Sequence, residues 1–441
     1  MKVKRFLVES KDIERDSFIW NMAGSMLMAF QSVIMLMILT RCLGLKEAGI
    51  FTIAYANSNL FLTIGKYGMR NFQVSDVKDQ FSFREYKSSR IITTVLMLAV
   101  SLVYVIYISN KNQYDIGKSL VIIWMCTFKS VDSLEDVYHG YYQQKGHLEI
   151  AGKVLTIRLF FTIVVFAAGL ILFRDLLIAL VISTIFTLFL FVILTKWSYR
   201  GIKISEKQRI ECLKVKELLK ICFPLFLGNF LAFYIGNAPK YAIDSILNDE
   251  LQACYGFIAM PVFVIGLLNN FIFNPMIHKM SIIWNEKNIN NFIRLFWIQV
   301  SIIFGITAVC IIGAYAIGIP VLSFLYNTNL APYKVELIIL LLGGGFLALS
   351  GFLMTMITII RFQITLVAGY LFVAILAYLG SPVFVGRYSM RGATVLYLML
   401  MVILCISFSA IFAYGLGKKG KELICIESNL DSQYKETSKN E

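Results

Sequence analysis

Twelve apolar stretches, most of them close to the length that crosses a bilayer, constrain this 441-residue chain more than any other feature. They run over roughly 18–40, 48–69, 91–109, 118–140, 153–173, 175–196, 219–246, 253–277, 293–318, 335–358, 363–380 and 393–415. A helix needs roughly 20 apolar residues to cross about 30 Å of hydrocarbon, so such runs have no aqueous home. Charged residues make up only 15% of the chain, against about 25% in soluble domains, which excludes a soluble enzyme. The alternating ten-residue segments of a barrel are absent. Backbone at membrane depth must then satisfy itself within helices, and the expected fold is an all-α polytopic bundle.

The placement of charge sets the expected topology. Of the 41 Lys and Arg, 29 lie in segments 1–15, 70–90, 141–153, 196–220 and 278–294, at Arg361 and in the tail. Eight lie in the alternate connections: Arg41, Lys46, Lys111, Lys118, Arg174, Lys334, Arg387 and Arg391. The positive-inside rule places the first set, and both termini, in the cytoplasm. The connections on the other side are short, the longest being about 319–334. The longest cytoplasmic connection is basic and divides the spans six and six. The expected domains are thus an N-terminal six-helix lobe (1–197), a basic linker (198–218), a C-terminal six-helix lobe (219–415) and a polar cytoplasmic tail (416–441) without regular structure. The first span follows a basic start with no small-residue cleavage site, so it reads as retained. Segments 41–54 and 246–259 echo each other weakly, each with an acidic residue, a small turn and an aromatic helix start, as in transporters built from repeats.

Charges inside the spans are the candidates for chemistry. Span 4 carries Lys129, Asp132, Glu135, Asp136 and His139. At 100° per residue, Lys129, Asp132, Asp136 and His139 share one stripe, with Glu135 well off it. Span 7 places Asn237, Lys240 and Asp244 on one face, with Lys240 and Asp244 spaced to pair at i,i+4, and Pro239 predicts a kink or hinge. Span 2 groups Lys66 and Arg70, and span 5 adds Arg158. A charge at the bilayer centre costs several kcal/mol unless it is paired or wet. One reading is structural: Lys–Asp pairs neutralise each other, and residues near span ends such as Arg70, His139 and Asp244 snorkel to the headgroups. The other is functional: Lys66, Lys129, Arg158 and Lys240, on four helices, line a common wet cavity that concentrates an anion, phosphate or diphosphate better than a cationic drug.

Other chemistries find no support. There is no Walker A motif, no cofactor signature, and no zinc spacing among His139, His147 and His278. The eight cysteines are scattered without a CxxC pair, so neither a disulfide framework nor a metal site is expected. The segment 343–345, three glycines in an apolar helix, predicts close helix packing. The basic linker reads as topogenic and lipid-facing, not as a nucleic-acid site.

Several motifs in order carry a family resemblance. These are Leu39-Thr-Arg-Cys-Leu-Gly-Leu-Lys-Glu-Ala-Gly-Ile-Phe51 after span 1, Asp136-Val-Tyr-His-Gly-Tyr-Tyr-Gln143 leaving span 4 with Arg158 beyond it, and Asn237-Ala-Pro-Lys-Tyr-Ala-Ile-Asp244 in span 7. With six plus six spans, the chain resembles the Wzx-type polysaccharide biosynthesis flippases of the multidrug/oligosaccharidyl-lipid/polysaccharide exporter superfamily. The resemblance implies a MATE-like, V-shaped pair of lobes in the bacterial cytoplasmic membrane. It implies alternating-access translocation of an undecaprenyl-diphosphate-linked oligosaccharide for capsule, exopolysaccharide or O-antigen, with a proton or sodium ion as the coupling ion. A polysaccharide polymerase and a chain-length regulator would be its partners. Under it, Arg158 and Lys240 meet the diphosphate or acidic sugars, helped by Lys66, Lys129 and Asn237. Arg70, Asp132, Asp136 and Asp244 act in gating or ion coupling, and Pro239 is a hinge. The rival readings are a MATE-type cation-coupled multidrug exporter, a peptidoglycan-precursor flippase, for which twelve spans are too few, and a membrane polysaccharide polymerase or ligase, an enzyme for which no large external loop is present.

Overall fold

In the computed structural model, which describes residues 6–76, 79–199, 211–286, 288–362 and 364–437, every extended regular element is a helix. In order these are α1 (Ile13–Leu43), α2 (Leu45–Lys66), the short α3 (Met69–Ser75), α4 (Phe83–Asn112), α5 (Ile116–Gln144), α6 (Leu148–Phe173), α7 (Leu176–Tyr199), α8 (Cys212–Ile246), α9 (Asp249–Asn285), α10 (Ile289–Gly313), α11 (Ile319–Tyr326), α12 (Lys334–Ile359) and α13 (Ile364–Thr437). Each of the twelve apolar segments lies on one of them. Among the described residues nine helices are long and apolar enough to cross a membrane. The helices α2 and α5 are missing from those nine, and they are the ones that carry Lys66 and the charges of span 4. The chain is a multi-pass membrane protein of all-α fold.

Spans 11 and 12 are two helices that meet at a kink within α13, at Ser389, whose φ of 52° and ψ of −132° are not helical. The expected polar tail falls on the end of α13 and on residues 438–441, which lie outside the described residues. The connection 319–334 is also partly helical, because α10 passes through a π-helical turn at Ala314–Gly318 directly into α11. Of the basic linker 198–218, residues 200–210 lie outside the described residues, and from Cys212 the chain is already in α8.

Two compact units can be distinguished, one holding the chain up to Phe257 with Phe324–Thr328, the other holding Ile258–Ser323 with Asn329 onward. The second has α12 at its centre, packed on α10 and α13. The three glycines each admit a different neighbour: a Cβ at Gly343 would lie 2.7 Å from the Tyr397 ring, at Gly344 2.9 Å from Val262, and at Gly345 2.5 Å from Thr307. Close helix packing is thus what that triplet provides. The buried polar residues described in this unit (Asn269, Gln299, Thr307, Ser350, Ser381 and Thr394) are all uncharged.

Unit one is different in kind, because it buries charge. Its α8 packs on α2 and α4, with Tyr67 and Phe226 stacked at 4.7 Å. The two echoed segments meet face to face here. Gly44 (φ 87°) separates α1 from α2, and Gly49 then lies so close to Asp249 that a Cβ would overlap its carbonyl oxygen. Reciprocally, a Cβ at Gly256 would lie 2.8 Å from Thr52. Overpacking costs about 1–3 kcal/mol, so Gly49→Ala is expected to lower Tm and the yield of monodisperse detergent-solubilised protein. Gly228→Ala, with nothing within 4 Å, should leave both unchanged.

Candidate functional site

Helix α5 is the element that positions the charges. Asp115 starts it by accepting from the backbone N–H of Gly117 at 3.1 Å, and it then packs against α2, α3, α4, α6 and α7. With neighbours on so many sides, its polar residues face protein: Lys129, Asp132, Glu135, Asp136 and His139 are all buried.

Each carboxylate in this group is paired. Arg158 on α6 donates from Nε to Glu135 Oε1 at 2.9 Å and from Nη2 to Glu135 Oε2 at 2.7 Å, and Nη2 also reaches Asp132 Oδ1 at 2.7 Å. Its remaining nitrogen donates to Thr187 of α7 at 3.2 Å. Lys129 donates to Asp132 Oδ2 at 3.0 Å and to Gln31 of α1 at 3.1 Å, and it lies 4.8 Å from the Tyr55 ring centroid. Asp136 takes Arg90 at 2.9 Å, Arg70 at 3.5 Å and Lys66 at 3.9 Å. Two-point guanidinium–carboxylate contacts are the strong form of such pairs, and in a low-dielectric interior they offset a desolvation cost that lone charges could not.

Two partners in this network lay outside the expected stripe and cavity. Glu135, off the polar stripe, faces α6 and takes Nε and Nη2 of Arg158. Arg90, assigned by hydropathy to a cytoplasmic loop, is fully buried and bridges Asp136 to the carbonyl oxygen of Gly65 at 2.9 Å. A signal for it was present: Ser82 and Glu85 form a capping box, so α4 starts at Phe83 and Arg90 is two turns inside the helix.

The expected common chamber of four cations is corrected by this geometry. Lys129 and Arg158 are sealed and neutralised by their own carboxylates, 2% and 1% exposed. Lys66 and Arg70 are instead about one-third exposed at their side chains, 34% and 33%. They line a cavity of about 360 Å³ with Asn59, Asn229, Phe233 and the rim of Asp136. Arg70 also donates to Gln143 at 3.0 Å. Counting the whole network, five cations (Lys66, Arg70, Arg90, Lys129, Arg158) face three carboxylates. The surplus of positive charge is thus left on the two side chains that reach the cavity.

The span 7 residues do not form the expected pair. Lys240 is partly buried, is not among the residues lining that cavity, and has no carboxylate partner among the described residues. Asn237 donates to the carbonyl of Phe233 in its own helix at 3.0 Å. Asp244 turns away from Lys240 to Lys118 of α5 at 2.7 Å and to the hydroxyl of Tyr114. Lys118 also holds Asp249 at 2.6 Å. The pairing across helices wins because α5 and the α8–α9 connection meet there, leaving a one-turn reach within α8 unused. A second cavity, of about 550 Å³, opens at this end beside Lys46, Asp115 and Arg174. Pro224 and Pro239 both lie inside α8, which is helical through them to Ile246.

Removing one partner of a buried ion pair costs about 3–5 kcal/mol. Arg158→Ala and Glu135→Ala are therefore expected to abolish folded protein, whereas Lys66→Ala, at a one-third-exposed residue, should express and melt like the parent. Size-exclusion profiles and Tm values of the three variants check this.

Comparison with known proteins bears on family and fold. The family described as "Polysaccharide biosynthesis protein" matches residues 15–281. A capsular polysaccharide biosynthesis protein, CapF, of Staphylococcus aureus is 23% identical over 407 residues, covering 89% of this chain and 97% of that one. Among solved structures, a multidrug resistance MATE family transporter of the MOP superfamily in its inward-facing conformation is 13% identical, with a TM-score of 0.60 over 89% of this chain and 95% of that one. An outward-facing structure of a MATE family transporter has a TM-score of 0.51 at 12% identity, over 96% and 98%. The fold is thus one shared with MATE transporters, and the chain belongs to the polysaccharide biosynthesis protein family.

Proposed function

We propose that this protein translocates an undecaprenyl-diphosphate-linked oligosaccharide across the bacterial cytoplasmic membrane by alternating access, in the synthesis of a surface polysaccharide. The observation that carries the reading is the cavity in which Lys66 and Arg70 hold the surplus charge of an otherwise neutralised network. A diphosphate is the complement of two exposed cations, and the amides of Asn59 and Asn229 beside them suit phosphate or sugar oxygens. Arg70 moves in this reading from gating to binding. Arg158 and Lys129 act through the network, by keeping Asp132 and Glu135 occupied so that Asp136 alone is shared with the cavity. Lys240 and Asn237 on α8 would supply a further contact for the anion or its sugars, with Pro239 as the hinge. The relation to CapF supports capsule as the polymer, and a polymerase and a chain-length regulator would be its partners.

Alternating access is supported by the likeness to MATE structures in inward- and outward-facing conformations. The six-plus-six division, with the basic linker and both termini in the cytoplasm, is part of the same reading. Asp244, clasped by Lys118 and Tyr114, is then a gate on the outer side, and Asp132 and Asp136 take a gating role through the cations they hold. A cationic cavity disfavours the cationic substrates of a multidrug exporter.

Hydrogen bonds to charged groups contribute about 1.5–3 kcal/mol. Lys66→Ala with Arg70→Ala is expected to cut flipping of fluorescent lipid-linked oligosaccharide in proteoliposomes by about tenfold or more, with no gain in sensitivity of cells to cationic drugs. Unchanged flipping would overturn the proposal. At the gate, Lys118→Ala should speed labelling of a cysteine placed at Asn248 by a membrane-impermeant maleimide added outside whole cells. Labelling only from the cytoplasmic side would reverse the orientation.

A further inference from the structure

One buried titratable group in the network has no use so far. His139 is 4% exposed, its Nε2 has no hydrogen-bond partner, and that atom lies 3.8 Å from Glu135 Oε1. The charges that act on it are Glu135 and Asp136 of its own helix, Arg70 of α3 and Arg158 of α6. Arg90 of α4 joins them through Asp136. Arg70 is brought against this helix because its neighbour position is Gly140, where a Cβ would collide with Gln73 and lie 3.5 Å from Arg70 Cγ.

We propose that His139 is the proton-binding site of this network, and that a proton on its Nε2 and an anion at Lys66 and Arg70 bind cooperatively. The inference rests on reading the cavity as a diphosphate site, and it gives that site a linked proton. Asp132, Glu135 and Asp136 each hold a cation at 3.0 Å or less, so a proton added to any of them breaks an ion pair. A proton added to His139 breaks nothing and gains Glu135. With neutral His139 the network carries five cations against three carboxylates, and an extra proton meets that surplus. An anion in the cavity cancels it, chiefly at Arg70, whose charge faces both the cavity and His139. Each ligand therefore favours the other, and by linkage the factor is the same in both directions. A sodium ion at these carboxylates would instead have to displace the cations they hold.

The test uses the purified full-length protein with methanedisulfonate, an anion with diphosphate-like spacing that holds no proton near neutrality. Expected are tighter binding by about five- to tenfold from pH 8 to pH 4, and uptake of up to one proton per bound anion in weakly buffered indicator dye. Both should vanish in His139→Gln while binding at pH 8 persists. In the wild type, hydrogen–deuterium exchange at the imidazole C2 of the His139 peptide should titrate at higher pH with the anion than without, which decides the matter should the variant not fold. Binding that is independent of pH, with an unmoved His139 titration, overturns the proposal and leaves the anion site standing. Failure of both disulfonate and pyrophosphate to bind at any pH sinks the anion site and this inference together.

Discussion

Removing a charge from water into a low-dielectric interior costs several kcal/mol per ion unless a partner and further hydrogen bonds meet it. Helix α5 brings three carboxylates and a lysine into such an interior, and much of unit one is arranged around answering them. The answer requires α6 to turn Arg158 toward two of its turns, α4 to start early enough to deliver Arg90, and α1 to supply Gln31. The short helix α3 exists in the same service, because it carries Arg70 and Gln73 across Gly140. A bundle held in this way is specific about which helix faces which, since a rotation of any member would strand a charge.

The same constraint explains where the reactive surface lies. Pairing is complete within the sealed part of the network, and positive charge in excess of it can persist only where water reaches. Lys66 and Arg70 occupy that place. At the other end of α5, Lys118 stands 18 residues before Asp136, about 27 Å away along the helix axis. There it gathers Asp244 and Asp249 from the α8–α9 connection. One helix thus carries a charge cluster at each end, with the echoed segments clamped beside the second by the approach of Gly49 to Asp249. A helix of this kind joins the cavity at Lys66 and Arg70 to the Lys118 cluster through a single stiff element.

Part of this was legible in the chain. Lys129, Asp132, Asp136 and His139 declare themselves as a stripe, since each is costly in hydrocarbon. Arg70 and Lys66 do so by spacing. Arg90 was obscured because hydropathy marks where apolar residues begin, whereas its helix begins at a capping box eight residues upstream. Glu135 was set aside because angular position on one helix says nothing about a partner that reaches two faces at once. The pairing of Lys240 with Asp244 looked natural for the opposite reason: local spacing proposes a partner, and it cannot see Lys118, 126 positions away in the chain.

By itself the sequence determined that this protein lies in a membrane, that its spans are helices, and that intramembrane charge is concentrated in the span 4 segment. Those follow from local quantities: apolar length, charge density and the 100° turn of a helix. Only the tertiary structure decided which cations are spent on internal pairs and which remain for a ligand. That choice depends on distances of a few ångströms between residues far apart in the chain, and Coulomb energies change over such distances while composition and periodicity do not.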